Sequence, residues 1–450
     1  MSEKQHSICL LNDSFPPVID GVANAVVNYA ERIQARHGHA LVATPAVPGA
    51  DDSAFPFPVV RYPSIDTRKL VGYVAGYPFS PETAYRVREA RTELLHLHCP
   101  MASALLARQL QEALELPLIL TWHTKYDIDI ANAIHSKLLQ ERAISALLQN
   151  VNACDEVWTV SRGAGENLRS LGFERDYVVM ENGVDLPRGR AADAEIEAAT
   201  GAYDLPAGVP AFLFVGRMMW YKGLRIILDA LSALKQEGVP FRMVFVGAGG
   251  DSEEVQAYAQ QSGLGDVCFF TGALSEREAL RAWYSRADLF LFPSTFDTNG
   301  LVVREAAACD LATVMVAGSC AAEGVTDGRN GFLIEENAQS LAAALRRLCA
   351  SPETVNRVGA AAGRELYLSW EDAVDRAVDR YEIVLDNHRA GRYVHPHTPQ
   401  NEFFKSQGEL MESMGEFGAL RQELRSEFRG QKEKLGKGLA AFWHRTDRYL

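Results

Sequence analysis

The sequence predicts an α/β protein of two doubly wound domains facing one another across a cleft, with a helical C-terminal tail. Three observations predict it. Short apolar runs of strand length alternate with segments of helical period along most of the chain. A polar, irregular stretch, Thr200 to Pro210 (TGAYDLPAGVP), interrupts that alternation near the middle. At 450 residues the chain exceeds one ordinary core, and its 47% hydrophobic and 23% charged content is that of a soluble globular protein. The expected extents are an N-terminal domain over 1–200, a second domain over 201–365, an amphipathic helix over 366–388, and a linker with an amphipathic helical tail over 389–450.

The first domain opens with the strand Ser7–Leu11, a proline-stiffened loop (Asn12–Pro17), and then Gly21 before the helix-period residues Val22, Val26, Val27 and Ala30. Strand, loop with glycine, helix is the layout of a phosphate cradle, because a residue without Cβ lets a ligand approach backbone amides. No GxGxxG occurs, so the dinucleotide fingerprint is missing. Strands follow at Ala40–Thr44, Val59–Tyr62, Leu94–His98, Leu118–Trp122, Glu156–Val160 and Tyr177–Met180, with helices including Met101–Glu115 and Ser136–Val151 between them. After the interruption the alternation resumes with Ala211–Val215, Arg242–Val246, Val267–Phe270, Leu289–Phe292 and Thr313–Val316.

Net charge of −13 argues against a general nucleic-acid binder, which needs a basic surface. The seven cysteines are scattered, with no CxxC pair, and read as reduced, buried thiols. The N-terminus lacks the apolar core of a secretion signal, and no run of about 18 apolar residues exists to span a bilayer. A cytoplasmic protein is expected, with any membrane contact peripheral.

Chemistry concentrates in the second domain. Arg217 ends a strand and Lys222 follows shortly before an apolar-periodic helix; two cations flanking a helix start make an anion clamp. Gly247 opens a second close-approach loop. The segment Asp288 to Cys309, DLFLFPSTFDTNGLVVREAAAC, reads as a strand tip, a loop and a helix start. Asp297 in the loop and Glu305 on the helix can accept hydrogen bonds from polyol hydroxyls, while the Asn299, Gly300 and Leu301 amides stay open to an oxyanion. His123 ends the strand Leu118–Trp122 and should point into the crevice. His96 and His98 are expected on opposite faces of their strand, which argues against one shared metal. Asp127 and Asp129 match a DxD metal motif by letters alone.

These residues resemble the two-acid motif of the family-4 retaining glycosyltransferases, which have the GT-B fold of two Rossmann-like domains facing across a cleft; the resemblance covers residues 7 to about 385 and implies that the helix over 366–388 crosses back to the N-terminal domain. It implies that Asp297 and the following amides hold the donor sugar, although the family's first acid is usually Glu. It also implies that Glu305 holds the nucleotide ribose, that Arg217 and Lys222 hold the diphosphate, and that the backbone near Ala273 holds the base. His123 in HTKYD would contact the sugar near the reacting carbon. Gly21 stands where the family often has two adjacent glycines. The resemblance implies retention by front-side attack and no cofactor, with cations and helix termini in place of a metal.

Within that family the HTKYD segment and the two-part layout look most like bacterial diacylglycerol glucosyltransferases. That implies UDP-glucose as donor and a lipid acceptor. The first-half loop Arg61 to Pro81, with Arg68 and Lys69, either helps to seat a lipid or merely covers the core, and Tyr126 is a further candidate acceptor contact. The tail from Phe403 to Leu450 carries an apolar stripe and many cations. Its last part, including Phe442 and Trp443, suits an anionic bilayer surface or a helix packed on the enzyme or on a second copy. A transferase acting on a soluble sugar, polysaccharide or small metabolite remains open. So does a non-catalytic sugar-nucleotide or membrane-surface binder.

Overall fold

The computed structural model describes residues 5–446 except 19, 68–73, 275 and 395–397; the side chains of 129, 132, 133 and 423–446 also lie outside the description. The first sheet contains β1 (His6–Leu11), β2 (Gly38–Pro45), β3 (Val59–Tyr62), β4 (Leu94–Leu97), β5 (Leu118–Trp122), β6 (Glu156–Thr159) and β7 (Val178–Val179), in the order β3-β2-β1-β4-β5-β6-β7. The second contains β8 (Ala211–Val215), β9 (Arg242–Val246), β10 (Cys268–Gly272), β11 (Leu289–Phe292), β12 (Thr313–Val316) and β13 (Phe332–Ile334), in the order β10-β9-β8-β11-β12-β13. The pairings β1–β2, β1–β4, β8–β9 and β8–β11 are all parallel. Central strands such as β1, β5, β8 and β11 are buried along their whole length, as a parallel sheet covered on both faces requires. The edge strand β3 instead alternates between partial and full burial.

Helices lie between and after the strands. They are α1 (Gly21–Arg32), α2 (Pro81–Glu89), α3 (Ala102–Leu114), α4 (Tyr126–Ala133), α5 (Lys137–Asn152), α6 (Arg162–Ser170), α7 (Asp193–Thr200) and α8 (Leu224–Gln236). There follow α9 (Ser252–Gln261), α10 (Arg277–Arg286), α11 (Leu301–Ala308), α12 (Ala338–Cys349), α13 (Pro352–Glu365), α14 (Trp370–Arg389) and α15 (Pro399–Thr446). Two Rossmann-like sheets and a helical C-terminal region are the architecture expected from the sequence. The strand β13 went unread because three residues are too few to show a period. Helix α14 starts later than its apolar spacing suggested, because the Ser369 hydroxyl accepts from the Asp372 amide at 3.0 Å and caps it.

The chain divides into two compact units: residues 1–120, 141–156 and 381–450 form the first, and 121–140 with 157–380 the second. In the second unit the core is aromatic. Phe214 lies 6.2 Å from Phe292, Phe292 5.8 Å from Phe290, and Phe245 4.8 Å from Phe270, measured between ring centroids. Each fully buried side chain of this kind contributes about 1.5–3 kcal/mol, so the rings fix the strand tips that carry the site.

In the first unit the His96 and His98 rings are 4.1 Å apart, not on opposite faces. Strand alternation repeats every two residues, so positions two apart share a face. His96 Nδ1 lies 2.6 Å from the Tyr381 hydroxyl, and both rings are buried. Helix α15 packs its first half on α2 and α3. Arg108 lies 4.3 Å over the Phe404 ring, Met411 Sδ accepts from the Ser80 amide at 3.0 Å, and Arg88 pairs with Glu416 at 2.8 Å. Gly408 and Gly415 permit this approach, since a Cβ at either would lie 2.3 Å from a carbonyl oxygen of Gln109 or Pro81. So the start of the tail packs on its own chain.

Among the described residues no helix is long and apolar enough to cross a membrane. All seven cysteines are free thiols, and burial raises the Cys268 thiol to about 12 and the Cys309 thiol to about 11.

Candidate functional site

Strand order in the second sheet reverses between β8 and β11: β9 and β10 lie beyond β8, and β12 and β13 beyond β11. The loops leaving the carboxyl ends of these two neighbours therefore emerge side by side, which is where ligands bind in open parallel sheets. Lys222 lies on the first loop and Asp297 on the second.

The local sequence brings them together. After β8 the chain makes one tight turn, Trp220–Lys222, and enters α8 through Gly223 at φ +78°. A Cβ on Gly223 would lie 2.4 Å from the Pro293 carbonyl oxygen, so the turn presses directly on the end of β11. Lys222 is thus buried at 7% exposure, and its Nζ pairs with Asp297 Oδ1. The Ser294 hydroxyl donates to Asp297 Oδ2 at 2.5 Å, so both carboxylate oxygens are engaged. Arg217 stands exposed on the same loop as Lys222. The Trp220 amide donates to Asp251 Oδ2 at 2.8 Å and the Gly247 amide to the Gly272 carbonyl at 2.8 Å, joining the loops after β8, β9 and β10. Ala273 is exposed just beyond.

Helix α11 begins at Gly300, in the left-handed region at φ +59°, where a Cβ would meet the Ala321 Cα at 2.8 Å. Among the described residues no side chain caps α8 or α11, whereas Ser161 caps α6 by accepting from the Ala164 amide. The Val303 amide donates to the Gly300 carbonyl at 2.8 Å, whereas the Leu301 and Val302 amides of α11 and the first-turn amides of α8 are open to an anion. Asn299 Nδ2 is buried without a hydrogen-bond partner among the described residues, beside a small cavity that Gly300, Arg304 and Glu323 also line. Glu305 is half-buried: the Tyr284 hydroxyl donates to its Oε2 at 2.8 Å, and burial pushes its carboxyl above the usual range, opposed by Tyr284 and Arg277.

His123 and its neighbours belong to the same unit. The Thr298 hydroxyl donates to the His123 carbonyl at 2.8 Å, and Lys125 Nζ donates to the Thr295 carbonyl at 3.3 Å, so this segment is tied to the loop that carries Asp297. Burial lowers the His123 imidazole to about 3, which keeps it neutral near physiological pH. Tyr126 is buried with its ring 4.7 Å from Trp122, the position of a packing residue. Asp127 accepts from Asn167 at 3.2 Å.

Gly21 lies in the first unit and corrects one expectation. The Asp20 carboxylate accepts from the Val22 and Ala23 amides at 2.9 and 2.7 Å, so the amides read as a phosphate cradle are already capped. Arg68 and Lys69 fall outside the described residues, as do the side chains of Phe442 and Trp443. Sequence reasoning missed Ser294, Thr298, Lys125 and Tyr284. Ser294, three residues before Asp297, could have been found as a local partner; Tyr284 lies on another helix and leaves no sequence signal.

Residues 19–188 match the family described as Glycosyltransferase Family 4, and residues 196–365 match Glycosyl transferases group 1. The D-inositol 3-phosphate glycosyltransferase of Streptomyces avermitilis is 30% identical over 61% of this chain and 61% of its own length. The chain thus spans less than two thirds of that relative. The alpha-monoglucosyldiacylglycerol synthase of Acholeplasma laidlawii is 22% identical over 73% of this chain and 85% of its own. Anabaena HepE, solved with UDP and glucose, superposes with a TM-score of 0.65 at 19% identity, covering 84% of this chain and all of that one.

Proposed function

From the premise that the chain carries the GT-B glycosyltransferase fold of group 1 and family 4, we propose that it moves a hexose, glucose from UDP-glucose, onto an acceptor hydroxyl with retention at the sugar carbon. The observation that carries this reading is the Lys222–Asp297 pair at the strand-order reversal, between two helix starts that no side chain caps. In this reading the diphosphate takes Lys222 and Arg217, freeing Asp297 for the sugar hydroxyls, while Glu305 holds the ribose. The bond from the sugar to the leaving phosphate breaks as the acceptor oxygen bonds on the same face. The acceptor proton passes to the departing phosphate oxygen. Fixed cations and amides stabilise the growing negative charge, the largest contribution expected in such a site. A neutral His123 can hydrogen-bond the sugar without repelling the oxocarbenium-like carbon. No metal is required, because the chain supplies the cations.

For the acceptor we favour the hydroxyl of a diacylglycerol, supported by the HTKYD segment and by the relative named for that activity. The higher identity to an inositol-phosphate transferase supports a soluble acceptor as the second reading. Radiolabelled UDP-glucose offered with diacylglycerol micelles or with inositol 3-phosphate separates the two. Thermal stabilisation by no nucleotide sugar at all would overturn both.

A further inference from the structure

Helix α15 has two faces. One, carrying Phe404, Gly408, Met411 and Gly415, is packed against α2 and α3. The other leaves Phe403, Leu410, Met414, Phe417 and Leu420 exposed at 59, 48, 49, 70 and 52%. These five positions recur at helical spacing and form one apolar stripe along the helix. In the sequence, Leu424, Phe428, Leu435, Leu439 and Phe442 recur at the same spacing.

The pattern is self-complementary. Phe403, Leu410 and Phe417 are spaced by seven, and Phe428, Leu435 and Phe442 repeat the same residues at the same spacing. An antiparallel register that sets 403 opposite 442 also sets 410 opposite 435 and 417 opposite 428. Charge selects the same orientation. Residues 399–420 hold Glu402, Glu409, Glu412 and Glu416 against Lys405, a net of −3. Residues 421–450 hold eight Lys and Arg against four Glu and Asp, a net of +4. Antiparallel pairing lays the acidic half of one helix on the basic half of the other, whereas parallel pairing sets like on like. An anionic bilayer would attract only the basic half and repel the acidic one, although the stripe runs through both.

We propose that this chain forms a two-fold dimer through α15, the apolar positions of each copy lying antiparallel against those of a second copy. The contact is isologous, so it closes at two copies. It is independent of the proposed donor site, because Lys222, Arg217, Asp297 and Glu305 take no part in it.

Sedimentation of the full-length chain in detergent-free buffer tests it. The expected species is twice the 49.5 kDa chain, about 99 kDa. Phe417→Asp should shift it to the monomer with an unchanged melting temperature, and a Phe417→Asp chain that remains dimeric overturns the proposal. Glu409 and Lys434 border the stripe on the same side, and the register brings them within a turn of each other. Glu409→Lys or Lys434→Glu alone should raise the dimer dissociation constant roughly tenfold. The double reversal should restore it, and failure to restore refutes the antiparallel register. A wild-type monomer refutes the dimer, and a monomer that floats with phosphatidylglycerol vesicles assigns the stripe to a bilayer instead.

Discussion

Replacing Lys222 by methionine keeps the side-chain stem and removes only its charge, which tests the centre of the proposed donor site. In the folded chain Lys222 is buried, and the Asp297 carboxylate opposite it has side-chain exposure of 22%. Removing one partner of a fully buried pair costs about 3–5 kcal/mol. The partial exposure of Asp297 and its bond from Ser294 reduce this to roughly 1–2 kcal/mol. A unit of this size loses about 2–4 °C per kcal/mol, so the expected fall in melting temperature is about 2–8 °C. Activity should suffer more. A charge-assisted bond to the diphosphate contributes about 1.5–3 kcal/mol, and loss of a donor to developing charge costs about 10²–10³ in turnover. The assay is sugar transfer from UDP-glucose at saturating donor, beside a thermal melt without ligand. A folded Lys222→Met protein that turns over at the wild-type rate would falsify the clamp.

The ion pair has a further consequence for Asp297. Asp297→Asn keeps a hydrogen-bond acceptor for Ser294 but releases Lys222, so bare UDP should bind roughly tenfold tighter by calorimetry, about 1.4 kcal/mol, while sugar transfer is lost; unchanged UDP affinity would show that the pair does not compete with the diphosphate. Burial holds the Glu305 carboxyl above its unfolded value, so its stabilising contribution is present below the unfolded value of 4.5 and is lost as pH rises through the folded one. Glu305→Gln should therefore gain melting temperature over wild type between pH 4 and pH 7, and a gap that shrinks with pH contradicts the burial argument. Gly300→Ala forces a left-handed residue and a contact of 2.8 Å on Ala321, which should cost about 1–3 kcal/mol in denaturant unfolding. A loss below the measurement error would mean that α11 can start elsewhere.

The fold was legible because parallel strands buried on both faces leave a local signature. AFLFV, LFLF and TVMV are apolar at every position and bounded by turn residues, so they could be read without knowing their neighbours. Lys222 and Asp297 were legible as a cation before a helix and an acid in a strand-to-helix loop. Their pairing was not, because it depends on β8 lying next to β11, a contact across 75 residues. The capped start of α1 was misjudged for the opposite reason. Asp20 stood in plain view, but whether a carboxylate or a ligand occupies two amides depends on the backbone angle that precedes them.

The amino-acid order by itself determined which segments are strands, which are helices, and where charges sit relative to helix starts, since these follow from side-chain period and backbone geometry over a few residues. Only the tertiary structure decided which groups meet: Lys222 with Asp297, Tyr284 with Glu305, Thr298 with the His123 carbonyl, and the inner face of α15 with α2 and α3. Such meetings depend on strand order and close packing, and these are properties of the whole chain that no short stretch encodes.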